Sequence, residues 1–132
     1  MNLNYYIILG ILFFIILFAI FILFKYRKLW KISKSRKKFY KKHIKLISSD
    51  ANSYKEQILD FDKLYHSLLK DLWYTWTFWD ILKKNPKEIK DIDKIWKLHK
   101  TRNKLAHDFE DIDDNILRKK AEDYKKEINK LI

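Results

Sequence analysis

Tyr5 to Phe24 reads YYIILGILFFIILFAIFILF, twenty residues without a charge, a proline or an amide side chain. At about 1.5 Å per residue, a helix of that length is about 30 Å long, the thickness of a bilayer's hydrocarbon core. The stretch is expected to span a membrane as a single helix. A cleaved signal peptide would want a positively charged start, a shorter apolar run and small residues at a cleavage point. Met1 to Asn4 carries no charged side chain, and Lys25, Tyr26 and Arg27 follow the run directly, so retention as an anchor is expected. Tyr5 and Tyr6 at one side, with Tyr26 and Trp30 at the other, provide aromatic side chains for the two interfaces. Gly10 has Phe14 four positions on, so the small-residue motif for close helix pairing is missing.

Outward from the span, the charge is uneven. The formal net charge is +12. Lys25 to Lys45 holds eleven Lys or Arg and no acid, whereas Leu46 to Ile132 holds eighteen basic against seventeen acidic side chains. Basic residues stay on the cytoplasmic side, which orients the chain in the cell membrane with its N-terminus outside and its C-terminal part in the cytoplasm. The pI of the whole chain therefore says little about nucleic acid, since the excess lies beside the lipid.

Tyr26, Trp30, Ser33, Lys37, Tyr40, Ile44 and Ile47 follow steps of four and three, which predicts a helix continuing from the span, with Lys37 interrupting the stripe. In one outcome this stalk rises and packs its distal end, Tyr40, Ile44 and Ile47, on the head; in another it lies along anionic headgroups. The continuous helix is the expectation adopted here. Lys37, Lys38, Lys41 and Lys42 are the candidate contacts to lipid headgroups or phosphate, each nearby basic residue adding about 1 kcal/mol of surface attraction. Lysines that merely stop transfer and stay solvated account for the same pattern. The resulting division is an anchor over 1–24, a basic juxtamembrane helix over 25–47 and a cytoplasmic helical bundle over 48–132.

Composition narrows the head. One Gly and one Pro disfavour hairpin-built sheets and glycine-loop nucleotide sites, and the absence of Cys removes thiolate chemistry and Cys-based zinc sites. An all-α fold remains: one transmembrane helix, a stalk, then a small three- or four-helix up-and-down bundle. A head of roughly 85 residues has a marginal core, and Trp73, Trp76, Trp79 and Trp96 are expected to help fill it.

Along the head, Ser48 to Asn52 forms a polar break, and Ser53 with Glu56 forms a capping box. Ile58, Phe61, Leu64, Tyr65, Leu68, Leu69 and Leu72 share one arc of the helix that follows, with Asp62 at its flank, where it reaches a buried partner or stays solvated. Trp73 to Trp79, WYTWTFW, reads mainly as core, with base stacking as the functional alternative, and Thr77 caps a short helix through Leu82. Asn85, Pro86 and Glu88 predict a further helix start. Ile89, Ile92, Ile95, Trp96 and Leu98 carry its apolar face. The last helix begins near Asp113 and buries Leu117, Ala121, Tyr124, Ile128 and Leu131.

One polar cluster lies within a periodic helix: His99, Lys100, Thr101, Arg102, Asn103, Lys104, Leu105, Ala106, His107. His99, Asn103 and His107 are spaced by four, and Arg102 follows His99 by three, a spacing that can bring them together. Arg holds phosphate through paired hydrogen bonds, and His moves protons near neutral pH. Arg102, Asn103 and His107 are the candidate catalytic residues. In the plainer reading Arg102 pairs with Asp62 or a later acid, His99 is a further structural polar partner, and His107 closes a helix end against its dipole.

With a polar residue after the Arg and four residues between Arg and His, RNKLAH resembles the R-x4-6-H signature of the HEPN superfamily. The resemblance implies a small helical bundle, and in many members a metal-independent ribonuclease that cleaves as a dimer. It further implies that His107 acts on the 2′-hydroxyl or leaving oxygen, that Arg102 holds the scissile phosphate and that Asn103 orients them. Other members only bind RNA or protein partners. Phe109 stands where toxin-type members have Tyr, so nucleotide transfer onto that position is not expected. The stretches ILDFDKLYHSLL and IWKLHKTRNKLAHD are also similar to those of single-pass bacterial membrane proteins with a like helical head, a likeness that brings no activity with it.

Asp108, Glu110, Asp111, Asp113 and Asp114 oppose an RNA phosphate close to this motif. A metal site of His99, His107 and Asp108 lacks a supporting pattern, and the acidic loop lacks an EF-hand glycine. No cofactor and no metal are expected. Three functional readings follow: a membrane-tethered interaction or RNA-associated module, a membrane-localised endoribonuclease using Arg102 and His107, and a structural anchor binding anionic lipid.

Overall fold

The computed structural model describes residues 3–29, 32–107 and 112–132, with side chains described from residue 6 to 25 in the first helix. Tyr5, Tyr26 and Trp30, offered as interfacial aromatics, and Asp108 to Asp111 of the acidic stretch lie outside the described side chains. Six helices make up the regular structure of the described residues: α1 Leu3–Leu29, α2 Lys34–Asp50, α3 Tyr54–Asp71, α4 Phe78–Lys83, α5 Ile92–His107 and α6 Asp114–Leu131. Two compact units result, residues 1–31 and 32–132.

The first unit is α1. Its window Tyr6–Lys25 is 20 residues long, apolar enough to cross a membrane, and not buried anywhere along its length. Tyr6 keeps 54% of its surface exposed at one margin of the window.

The expected unbroken stalk is corrected. Ile32 and Ser33 are not helical, and Ser33 starts a new helix by accepting a hydrogen bond on its hydroxyl from the Arg36 N–H at 3.3 Å. A serine with extended backbone satisfies a free amide of the first turn more readily than it continues a helix. The boundary expected at 47/48 moves with it: α2 belongs to the bundle, burying Ile32, Tyr40 and Ile44 in the common core. Ile47 packs at its margin. The helix also runs through Ser48 and Ser49 to Asp50, so the break is only Ala51 to Ser53.

α3 is the central helix of the second unit, with α2, α5 and α6 packed on it and α5 packed on α6. Its apolar arc is buried as the spacing predicts: Ile58, Phe61, Leu64, Tyr65, Leu68, Leu69 and, just past its end, Leu72. Each such aliphatic side chain contributes about 1.5–3 kcal/mol when withdrawn from water. Ser53 caps α3 through the Glu56 N–H at 3.2 Å, while Glu56 reaches back to the Asn52 N–H at 2.9 Å. Thr77 caps α4, and Asp113 caps α6 through Asn115 and Ile116.

The helix expected from Asn85 and Pro86 begins later, at Ile92, where Asp91 accepts from the Lys94 N–H at 2.9 Å. Asn85 takes φ 48°, the left-handed conformation that Asn tolerates, and ends the helical run of α4. Pro86 then opens a turn closed by the Ile89 N–H on its carbonyl at 3.1 Å.

The tryptophan-filled core is also corrected. Trp73, Trp76 and Trp79 are 60%, 46% and 45% exposed, and Trp96 is half-buried. Phe78, Ile81 and Leu82 take the inward positions of that segment, leaving the indoles outside. Tyrosines fill the centre instead: Tyr40, Tyr65 and Tyr124 are among the largest fully buried side chains.

Candidate functional site

Asp62 turns inward from the middle of α3 and is only 5% exposed. An isolated carboxylate at such depth is costly unless it is hydrogen-bonded and its charge is balanced. Tyr124 of α6 donates its hydroxyl to Asp62 Oδ1 at 2.6 Å, and His99 Nδ1 of α5 lies 2.9 Å from the same oxygen. With a carboxylate as acceptor, the His99 ring places its proton on Nδ1. Arg102 Nε lies 3.4 Å from Asp62 Oδ2, supplying the opposite charge. That Nε is buried without a hydrogen-bond partner of its own, so the attraction is ionic. Three side chains from two helices thus meet at the one carboxylate of α3. Burial, then the Asp62 charge and hydrogen bond, push the Tyr124 phenol far above its ordinary value, so it stays a donor at any physiological pH.

The candidate residues on α5 are divided by helix geometry. At about 100° per residue, positions five apart point about 140° away from each other. Arg102 faces α3 near the middle of the stripe formed by Ile95, Leu98 and Leu105, and His107 at the C-terminal end is exposed. Asn103 lies between them, half-buried, its Oδ1 accepting from Arg102 Nη1 at 3.0 Å. That bond joins Arg102 to Asn103, while His107 stands five positions beyond Arg102, at the exposed end of α5. His99 and His107 likewise part company, because every four-residue step drifts about 40° around the axis. Among the described residues no group of three metal-ligating side chains gathers.

Two further polar clusters join helices. Arg36 Nε meets Asp71 Oδ2 at 2.6 Å, and Tyr40 donates to the same oxygen at 2.5 Å, tying the start of α2 to the end of α3. Its hydrogen bond to Asp71 raises the Arg36 pKa, and burial, followed by the Asp71 hydrogen bond, raises that of Tyr40. Lys94 of α5 bridges Asp123 at 2.9 Å and the buried Glu127 at 3.4 Å on α6. Sequence reasoning paired none of these groups; the signal within reach was Arg36 and Tyr40, four residues apart on the stripe that Tyr40 leads into the core. Of the candidate lipid contacts, Lys38, Lys41 and Lys42 are exposed and Lys37 is half-buried, as its place in the apolar stripe requires.

The aromatic run carries cations on its rings. Lys84 Nζ sits 3.1 Å from the Trp76 ring centre and Lys83 Nζ 5.2 Å from that of Trp79. Trp79 meets the half-buried Trp96 edge to face at 4.3 Å. Below them, burial lowers the His66 pKa, partly countered by a hydrogen bond with the Trp76 carbonyl.

No family model, no curated protein and no solved structure matches the chain.

Proposed function

We infer that the chain is a single-pass membrane protein whose cytoplasmic head is a HEPN-like helical module for interaction or RNA association. One observation carries the reading of the head: Arg102, the residue that would hold a scissile phosphate, is drawn to the buried Asp62 carboxylate, 3.4 Å away. An arginine already neutralised at a carboxylate has less to offer a phosphate. His107 is exposed at the end of α5. Support for the anchor comes from the apolar, unburied window Tyr6–Lys25 and the basic stretch directly after it.

The nuclease reading is favoured only by the exposure of His107, which a second head would need in order to complete a site with Arg102. Incubating the full-length chain in detergent with RNA and a chelator separates the two. No cleavage is expected. Cleavage that His107→Ala abolishes without loss of helicity would establish the nuclease in its place. For the anchor, alkaline washing should leave the chain in membranes, and protease added outside intact cells should spare residues 32–132.

A further inference from the structure

The end of α3 is built at a cost. Tyr74 N–H donates to the Leu69 carbonyl at 3.1 Å and Trp73 N–H to that of Lys70 at 2.9 Å, the paired bonds of a Schellman motif. Trp73 occupies the position where glycine is usual, at φ 70°. A bulky side chain is strained there. The indole is 60% exposed.

Its place in the bundle is informative. The Arg36–Asp71 pair at 2.6 Å sets the last turn of α3 beside the first turn of α2, and Trp73 follows two residues later. Trp73 therefore lies at the end of the bundle where α2 begins. The flanking turns, residues 32–39 and 68–75, expose Lys34, Lys38, Lys70 and Phe39, and their one carboxylate, Asp71, is held by Arg36.

We propose that this corner is a second membrane contact, with the Trp73 indole seated among the headgroups of an anionic bilayer and Lys34, Lys38 and Lys70 against lipid phosphates. Indoles favour that boundary, where the ring is half withdrawn from water and its N–H stays hydrated. Clustered lysines beside a membrane are drawn to anionic lipid. Covalent attachment to the anchor keeps the corner at high effective concentration near the surface. Single-stranded RNA is the poorer occupant. Stacking needs successive open rings, whereas Lys84 covers Trp76 and Trp96 abuts Trp79.

This inference rests on the anchor reading, and one experiment tests both. Full-length chain is reconstituted in vesicles of phosphatidylcholine and phosphatidylglycerol, part of the phosphatidylcholine brominated close to the headgroup, and tryptophan quenching is recorded for wild type, Trp73→Gly and Trp73→Asn. Both replacements suit the left-handed turn. Each is expected to lose the Trp73 share of the quenching and to keep its helicity, and Trp73→Gly is expected to melt higher than wild type. Equal quenching in all three proteins overturns the inference. So does quenching that wild type loses on addition of oligouridylate while both variants do not respond. Release of wild type from the vesicles by alkaline washing would overturn the anchor itself, whereas retention with equal quenching overturns the corner contact alone.

Discussion

Tyr124 reaches across 62 residues of chain to give its hydroxyl proton to Asp62 Oδ1 at 2.6 Å, and both side chains are buried. This bond fixes α6 against α3 at one register, because a shift of one residue would turn the phenol away from the carboxylate. Apolar packing alone tolerates several such alignments. A buried polar pair that only one alignment satisfies selects among them.

Removing the carboxylate is expected to be severe. Asp62→Ala leaves the Tyr124 hydroxyl, His99 Nδ1 and the Arg102 charge together without their acceptor, a loss of about 3–5 kcal/mol. Tyr124→Phe removes one donor and is expected to cost about 1–3 kcal/mol. Denaturant unfolding of residues 32–132 followed by circular dichroism measures both, and Asp62→Ala costing no more than Tyr124→Phe would contradict the shared-acceptor geometry.

The buried phenols impose an alkaline limit. The pKa values of Tyr124, Tyr65 and Tyr74 are all raised in the folded chain, chiefly by burial. In the unfolded chain a tyrosine ionises near about 10. A folded pKa above the unfolded one means stability that is fully present below about pH 10 and is lost as the unfolded state gives up its proton first. Thermal midpoints should therefore hold steady from neutral pH and fall steeply above about 10. Tyr124→Phe should shallow that fall.

On the acid side His66 acts in the opposite sense. Its folded pKa is lowered by burial, so the folded state favours the neutral ring. Stability is then present above the unfolded value of about 6.5 and declines as pH drops below it. In His66→Gln, the decline between neutral pH and about 5.5 should be smaller than in wild type, as read from thermal midpoints.

Arg36 and Asp71 should couple weakly, since neither side chain is fully withdrawn from water. A double-mutant cycle with Arg36→Gln and Asp71→Asn is expected to give about 1 kcal/mol. The coupling should persist in part at high salt, because the contact is a directed hydrogen bond as well as a charge pair.

Reversing Lys38, Lys41 and Lys42 to Glu tests whether these three exposed side chains of α2 meet lipid. Sedimentation of residues 32–132 with phosphatidylglycerol vesicles should weaken by about 1 kcal/mol for each lost lysine, before the added repulsion is counted. The melting curve should stay in place. Unchanged sedimentation would assign these lysines to solvent.

Much of this architecture was legible because it follows from local chemistry. The arc from Ile58 to Leu72, the caps at Ser53 and Thr77 and the helix start near Asp113 each need only a few neighbouring residues to be read. The pairing of Arg102 with Asp62 was foreseen as one option, because an acid beside an apolar stripe and an arginine on another helix have few other partners. What escaped reading was tertiary. Ser33 sits in the apolar stripe by spacing, yet its hydroxyl serves better as a cap. Tyr124 read as one more apolar position, with nothing local to say its hydroxyl would complete the Asp62 site. The indoles of Trp73, Trp76 and Trp79 looked like core by hydrophobicity, and only the left-handed turn at residue 73 and the inward Phe78 turned them out.

The cap at Ser33 has a bearing on how such a chain could be rebuilt. In a single unbroken rod, every residue inserted upstream would swing all that follows by about 100°. A helix that starts afresh takes its angular setting from Ile32, Tyr40 and Ile44 seated in the bundle. Anchors of another length or composition could then be spliced on ahead of Ile32 without re-aiming a single side chain of the head.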